Sequence, residues 1–227
     1  MRDFLKSLTQ DLTMSVFLAS FFQSAVSHAI LLKTETSSKT FEDAKLVNSV
    51  VLVNDDKTEV AMKKVSHGLR RKNVFGLLTV NVYVMQLLAA TPEKLVKDEQ
   101  KFLESLQTAG PVQLHLTFSR DLPGEKISAS FKEGLEVNGV KTDDKSISSE
   151  LATIMRELNS IKEFKKGQSF AITFTWAGDN ATVYLTDPNA RIISVSGPKA
   201  FANDLLSIWF GKPGDSKLAD LKKTLIL

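Results

Sequence analysis

The stretch Val74–Leu88, VFGLLTVNVYVMQLL, does most to restrict how this chain can fold. It is apolar without polar alternation, so whatever element forms here must be covered on both faces. Val74, Val80, Val82, Tyr83 and Val84 are β-branched or aromatic, which favours a strand over a buried helix. Just ahead stand Arg70, Arg71 and Lys72, and Arg71-Lys72-Asn73 reads as the turn that feeds the chain into the run. Tyr83, one of only 2 tyrosines, lies inside it. A guanidinium and a phenol beside an apolar strand suggest a greasy pocket with one anion-gripping end.

The flanking sequence supplies the other elements. Thr34–Phe41 (TETSSKTF) is polar and reads as a flexible lead-in within residues 30–44. Val50–Val53 and Glu59–Val65 read as strands joined by a turn at 54–57. Thr91-Pro92-Glu93 carries the signature of a helix start, with Leu95, Phe102, Leu103 and Leu106 as its stripe and Gly110-Pro111 as its stop. Val112–Phe118 alternates apolar and polar, which makes it a half-buried strand with His115 on the polar, solvent-facing side. Gly124–Val137 and Ser148–Phe164 read as helices. Phe170–Trp176, Ala181–Leu185 and Ile192–Val195 form an antiparallel meander across Gly178-Asp179-Asn180 and Asp187-Pro188-Asn189. Pro198 opens a helix that breaks at Gly211-Lys212-Pro213-Gly214, and Ser216–Leu225 forms the last one. Trp176 and Trp209 read as core. The whole is one α+β domain over residues 45–227.

Composition narrows the function. The 227 residues carry 29 basic against 26 acidic side chains, interspersed, for a net charge of +3. No concentrated basic face marks a nucleic-acid binder. There is no cysteine, so thiolate catalysis and disulfides are excluded. His28, His67 and His115 lack metal-ligand spacing, and nothing calls for a metal or cofactor. At the N-terminus an apolar block, Met14–Phe22, precedes Ser27-His28-Ala29, the small-residue pattern of a cleavage site. Residues 1–29 are therefore expected to be a signal peptide, too short in its apolar part to span a bilayer. The mature chain is expected to be exported to a bacterial periplasm, with no integral membrane segment.

Several motifs carry a resemblance. They are Gly68-x-Arg70-x-Lys72 followed by Val82-Tyr83-Val84, the Lys165-Lys166-Gly167 turn, and Phe201-x-x-x-Leu205-Leu206-Ser207-Ile208-Trp209-x-Gly211. In these, from about Lys45 to Leu225, the chain resembles the chalcone isomerase fold family. It is most similar to bacterial chalcone isomerase-like proteins and plant fatty-acid-binding proteins of that fold. The resemblance implies an open-faced β-sandwich, a large antiparallel sheet covered on one face by a layer of helices, with a ligand cleft between them. It departs from the family at Leu87-Leu88-Ala89, where a second tyrosine-bearing motif would stand.

The resemblance also implies where chemistry would sit. Chalcone cyclisation uses an arginine at the position of Arg70, a threonine near that of Tyr83 and a tyrosine–asparagine pair on the following helix. Ile127 and Gly134 stand at the pair's positions, and Ile208 replaces a further polar group. Only the arginine is kept, so an enolate would lack its donors. What fits is the fatty-acid binders' arrangement, an arginine and a tyrosine holding a carboxylate, with Arg70 and Tyr83 as ligand residues. Thr79 and Asn81 share the strand parity of Tyr83 and are candidates to line the cleft, and His67 to tune it. The expected partner is a fatty acid or similar apolar carboxylate, bound without catalysis. The alternatives are a chalcone isomerase-type intramolecular lyase acting on a flavonoid-like substrate through Arg70, and an interaction protein with a vestigial cleft.

Overall fold

The computed structural model describes residues 31–54, 56–74 and 78–226, and the expected signal peptide lies outside them. The strands are β1 (Leu31–Phe41), β2 (Ala44–Val53), β3 (Glu59–Val74), β4 (Leu78–Ala89), β5 (Val112–Phe118), β6 (Leu122–Pro123), β7 (Glu163–Phe164), β8 (Ser169–Ala177), β9 (Asn180–Thr186) and β10 (Ile192–Pro198). The helices are α1 (Phe102–Ala109), α2 (Gly124–Val137), α3 (Ser149–Ser160), α4 (Lys199–Phe210) and α5 (Ser216–Ile226). Eight strands make one curled antiparallel sheet in the order β1-β2-β3-β4-β5-β8-β9-β10, while β6 and β7 pair separately. The α+β class and the helix-covered sheet expected from the sequence are both present.

Period-two alternation sets which face the helices cover. Val112, Leu114, Leu116 and Phe118 of β5, with Phe170, Ile172 and Phe174 of β8, point into one core against α1–α5. From the helices come Phe102 and Leu106, Phe131 and Leu135, Ile154 and Leu158, Leu205 and Trp209, Leu221 and Leu225, each pair three or four residues apart on one stripe. The opposite face holds a smaller apolar cluster of Val47, Val50, Leu52, Met62 and Leu88. Beside it lies a buried polar row. Gln86 Oε1 accepts from the Val47 amide at 2.8 Å, and Gln113 Nε2 donates to Thr173 Oγ1 at 2.8 Å.

Six local expectations need correction. The run Val74–Leu88 is not one element covered on both faces: Val74 ends β3, β4 begins at Leu78, and Leu78 is 60% exposed. The helix expected over Ser148–Phe164 stops at Ser160, and Glu163–Phe164 is the short strand β7 paired with β6. Thr34–Phe41 is no irregular lead-in but most of β1, in register with β2 from Leu31↔Val53 to Phe41↔Ala44. A Thr-rich edge strand wetted on both sides shows no apolar alternation, so its backbone pairing is invisible to the pattern. Arg71-Lys72-Asn73 is not a turn. It continues β3, pairing with Asn81, Val80 and Thr79. The helix read from Thr91 is a single 3-10 turn, Pro92–Lys94, in which Thr91 makes no side-chain cap, and α1 starts only at Phe102. The polar side of β5 is not open to solvent: Gln113 and Thr117 are buried and His115 half-buried, and Leu32 and Thr34 of β1 border the same hollow as Gln113 and His115.

Candidate functional site

β3 and β4 bring the cleft residues together, and one irregularity decides which. Arg70 pairs directly with Tyr83, but the next partners are Arg71 and Asn81, which leaves Val82 as an extra residue on β4. Such a bulge resets the alternation of side chains. Val82 and Tyr83 therefore both line a cavity of about 620 Å³ between sheet and helices, together with Arg70 and Lys72 of β3. Thr79 and Asn81, equal to Tyr83 in simple parity, fall on the other side of the bulge. Neither lines this cavity: Thr79 is exposed and donates to Asn73 Oδ1 at 2.8 Å, and Asn81 borders a small hollow beside Thr117 and Ser119. His67 also points away, its ring edge-on to Phe41 at 4.8 Å. Burial, and secondarily the charge of Lys64, lower its pKa, and it touches nothing in the cleft.

The helix wall of the cavity is apolar. Ile127, Phe131, Gly134 and Val137 of α2 face Ile208 and Trp209 of α4. Ile127, Gly134 and Ile208, the positions where acid–base partners would stand, are thus all brought to the cleft. A Cβ on Gly134 would lie 2.9 Å from Ile208 Cγ2, so an asparagine there has no room while Ile208 keeps its place. Tyr83 is buried, and its hydroxyl oxygen accepts a 2.9 Å hydrogen bond from Trp209 Nε1. Trp209 is therefore more than core: it fixes the phenol's direction and leaves the phenol's own proton available to a ligand. Burial pushes the Tyr83 pKa up, only partly offset by the charge of Arg70 and the Trp209 hydrogen bond, so the hydroxyl stays neutral.

The partner of Arg70 is a residue the sequence reading did not single out. Its Nη1 and Nη2 donate to Asp215 Oδ1 and Oδ2 at 2.9 and 2.5 Å, a two-pronged ion pair, and Nη1 also donates to the Arg71 carbonyl. Asp215 arrives there because α5 runs along β3. Ser66 Oγ donates to the Leu225 carbonyl at 2.7 Å, and Gly68 lets the helix close, since a Cβ there would meet Leu221 Cδ1 at 2.8 Å. From Leu225 back to Asp215 is about 15 Å of helix, and from Ser66 to Arg70 about 13 Å of strand. The two lengths nearly match, so the start of α5 lands on the guanidinium. Asp215 Oδ1 also accepts from the Leu218 amide at 2.8 Å, capping α5. Burial acts to raise the Asp215 pKa, but hydrogen bonds from Arg70 and the Leu218 amide, with the Arg70 charge, outweigh it and hold the carboxyl below its ordinary value.

The other charged groups of the cavity have partners too. Lys72 Nζ lies 3.6 Å from Glu133, and Glu136 accepts from the Thr142 hydroxyl. The site offers an apolar wall, a guanidinium and a neutral phenol. Among the described residues there is no cluster of metal-ligating side chains and no helix long and apolar enough to cross a membrane.

Comparison with known proteins bears on this arrangement. No curated protein matches the sequence. Among solved structures, a fatty-acid binding protein of Arabidopsis thaliana superposes with a TM-score of 0.57 at 15% identity, over 85% of this chain and 96% of that one. At that identity the likeness speaks for the fold alone. The family model described as chalcone isomerase-like matches residues 40–226, nearly the whole sheet-and-helix unit that builds the cleft. The chain belongs to the chalcone isomerase-like family.

Proposed function

We propose that this protein binds a fatty acid or similar apolar carboxylate in the cleft without turning it over, with Arg70 and Tyr83 at the head group. The observation that carries the reading is the in-register Arg70–Tyr83 pair at the wall of an apolar cavity. A buried carboxylate is tolerated only when paired and hydrogen-bonded, and these two side chains offer both. The volume of about 620 Å³ suits an acyl chain. At ~0.8 kcal/mol per buried methylene, about eleven methylenes contribute roughly 9 kcal/mol gross. Several kcal/mol of that is lost to association entropy, which leaves about 4–5 kcal/mol from the chain, a Kd of roughly 0.2–1 mM before any head-group contact. The fatty-acid binding of the Arabidopsis thaliana protein supports the reading. The apolar Ile127, Gly134 and Ile208 argue against an isomerase.

Mass spectrometry of lipids extracted from the purified protein tests the proposal, with Arg70→Ala alongside. We expect long-chain acids retained by the wild type and depleted at least tenfold in the variant. Chalcone cyclisation above its spontaneous rate at neutral pH would replace this reading with the isomerase one. Absence of both would leave an interaction protein with a vestigial cleft. Export to the periplasm belongs to the same proposal, on the strength of the cleavage pattern at Ser27-His28-Ala29. N-terminal sequencing of the mature protein checks it, with Ile30 expected first.

A further inference from the structure

We infer that Asp215 is the cleft's built-in competitor: it stands where a ligand carboxylate would stand on Arg70, so that a bound acid exchanges for Asp215 instead of joining it. This rests on the carboxylate-binding reading above. Three observations lead to it. Asp215 presents two oxygens to the two terminal nitrogens of Arg70 at 2.9 and 2.5 Å, the geometry a free carboxylate would adopt. Among the described residues the cleft has no spare cation to receive a second anion. Its lining carries Arg70 and Lys72 against Glu133, Glu136 and Asp215, and Lys72 is 3.6 Å from Glu133. A ligand carboxylate added beside Asp215 would meet like charge within a few ångströms.

The third observation is that the two partners differ in freedom. The Arg70 side chain is 11% exposed and held within β3, whereas the Asp215 side chain is 37% exposed and follows the Gly211–Gly214 break. Asp215 is the member that can turn to water. Its hydrogen bond to the Leu218 amide returns it to one place when the ligand leaves. The arrangement selects head groups. An anion with two coplanar oxygens replaces what it displaces, while an alcohol of equal chain length must bind with the ion pair closed and gains only the apolar wall.

The test is Asp215→Asn, which keeps the Oδ1 cap and the side-chain size while removing the charge. Titration with dodecanoate and with dodecanol reads selectivity. Phenylglyoxal labelling of Arg70, followed by peptide mass spectrometry without ligand, reads whether the guanidinium has been released. We expect dodecanoate to bind about tenfold tighter in the variant, dodecanol to bind unchanged, and Arg70 to label faster. Asp215→Ser, a second capping residue, should repeat the pattern and guards against a folding defect in one variant. Equal or weaker dodecanoate binding in variants that fold overturns the inference, as does an unchanged labelling rate. If neither wild type nor variants bind dodecanoate, the fatty-acid reading fails. Labelling then decides the latch alone, with acceleration upholding it and an unchanged rate refuting it.

Discussion

Adding one methyl group at Gly134 measures how tightly the helix wall defines the cleft. In Gly134→Ala the new Cβ would sit 2.9 Å from Ile208 Cγ2 and 3.3 Å from its Cγ1. Favourable carbon contacts begin near 3.5 Å, so something must move by roughly half an ångström. Two effects oppose each other. Replacing a mid-helix glycine stabilises α2 by about 0.5–1 kcal/mol. Overpacking costs about 1–3 kcal/mol, and Ile208 is β-branched on α4, so it cannot escape by an easy rotation. Ile208 does have a void beside it, which places the cost near the low end and directs the displaced side chain into the cavity. The expected net destabilisation is about 1 kcal/mol or less. A larger relative effect falls on binding, where each ligand methylene excluded removes ~0.8 kcal/mol, close to fourfold in affinity. Urea unfolding and dodecanoate titration of Gly134→Ala, Ile208→Ala and the double variant give both numbers. The double variant should show a favourable coupling of about 1 kcal/mol, because removing the Ile208 branches abolishes the clash. Gly134→Ala that is more stable by the full helix increment, binds dodecanoate normally and shows no coupling would refute the packing described here.

Tyr83→Phe removes the acceptor for Trp209 Nε1 and leaves a buried N–H unpaired, so it should destabilise by about 1–3 kcal/mol in urea and also weaken dodecanoate binding. Adding Trp209→Phe should cost less than Trp209→Phe alone, and additive costs would show that the hydrogen bond contributes nothing. On the other face of the sheet, burial lowers the His115 pKa from 6.5 to about 4. The unfolded chain then binds the extra proton between those values, so this stabilising contribution is complete above pH 6.5 and is lost as pH falls towards 4. Unfolding free energies across that window should fall by roughly 2–3 kcal/mol with acid in the wild type and by clearly less in His115→Gln, and parallel curves would count against a half-buried imidazole held neutral.

Elements that bury one regular stripe were legible in the sequence. The β8–β10 meander, α2, the body of α3 and the two C-terminal helices fall where periodicity and Gly/Pro breaks place them, because burying one stripe leaves a repeat that the residues themselves display. Only the end expected for α3, Phe164, lies too far along the chain, since Glu163–Phe164 pairs with β6. β1 was not legible, since its strength lies in backbone pairing to β2 and its side chains are wet on both sides. Parity failed at Thr79 and Asn81 for a different reason. Counting by twos assumes an unbroken ladder, and the extra Val82 breaks it between Arg70 and Asn81. Arg70 and Tyr83 escaped that error only because they lie on the same side of the bulge.

Asp215 escaped because its role is set by distance along two different elements. In the sequence it is an acid after the Gly211-Lys212-Pro213-Gly214 break, indistinguishable from an ordinary helix cap, and it does cap α5. Its second duty follows from a match between about 15 Å of helix and 13 Å of strand that no local pattern contains. That match changes the character of the cleft. An arginine facing an empty apolar cavity would attract any anion by excess charge, and its affinity would fall steeply with salt. On the proposed reading, a ligand carboxylate replaces that of Asp215 at nearly constant charge, so the ion pair contributes to selectivity more than to strength. The free energy of binding must then come from the chain along Ile127, Phe131, Ile208 and Leu218. Affinity should accordingly rise with acyl length at about fourfold per methylene until the cavity is full, and respond weakly to salt.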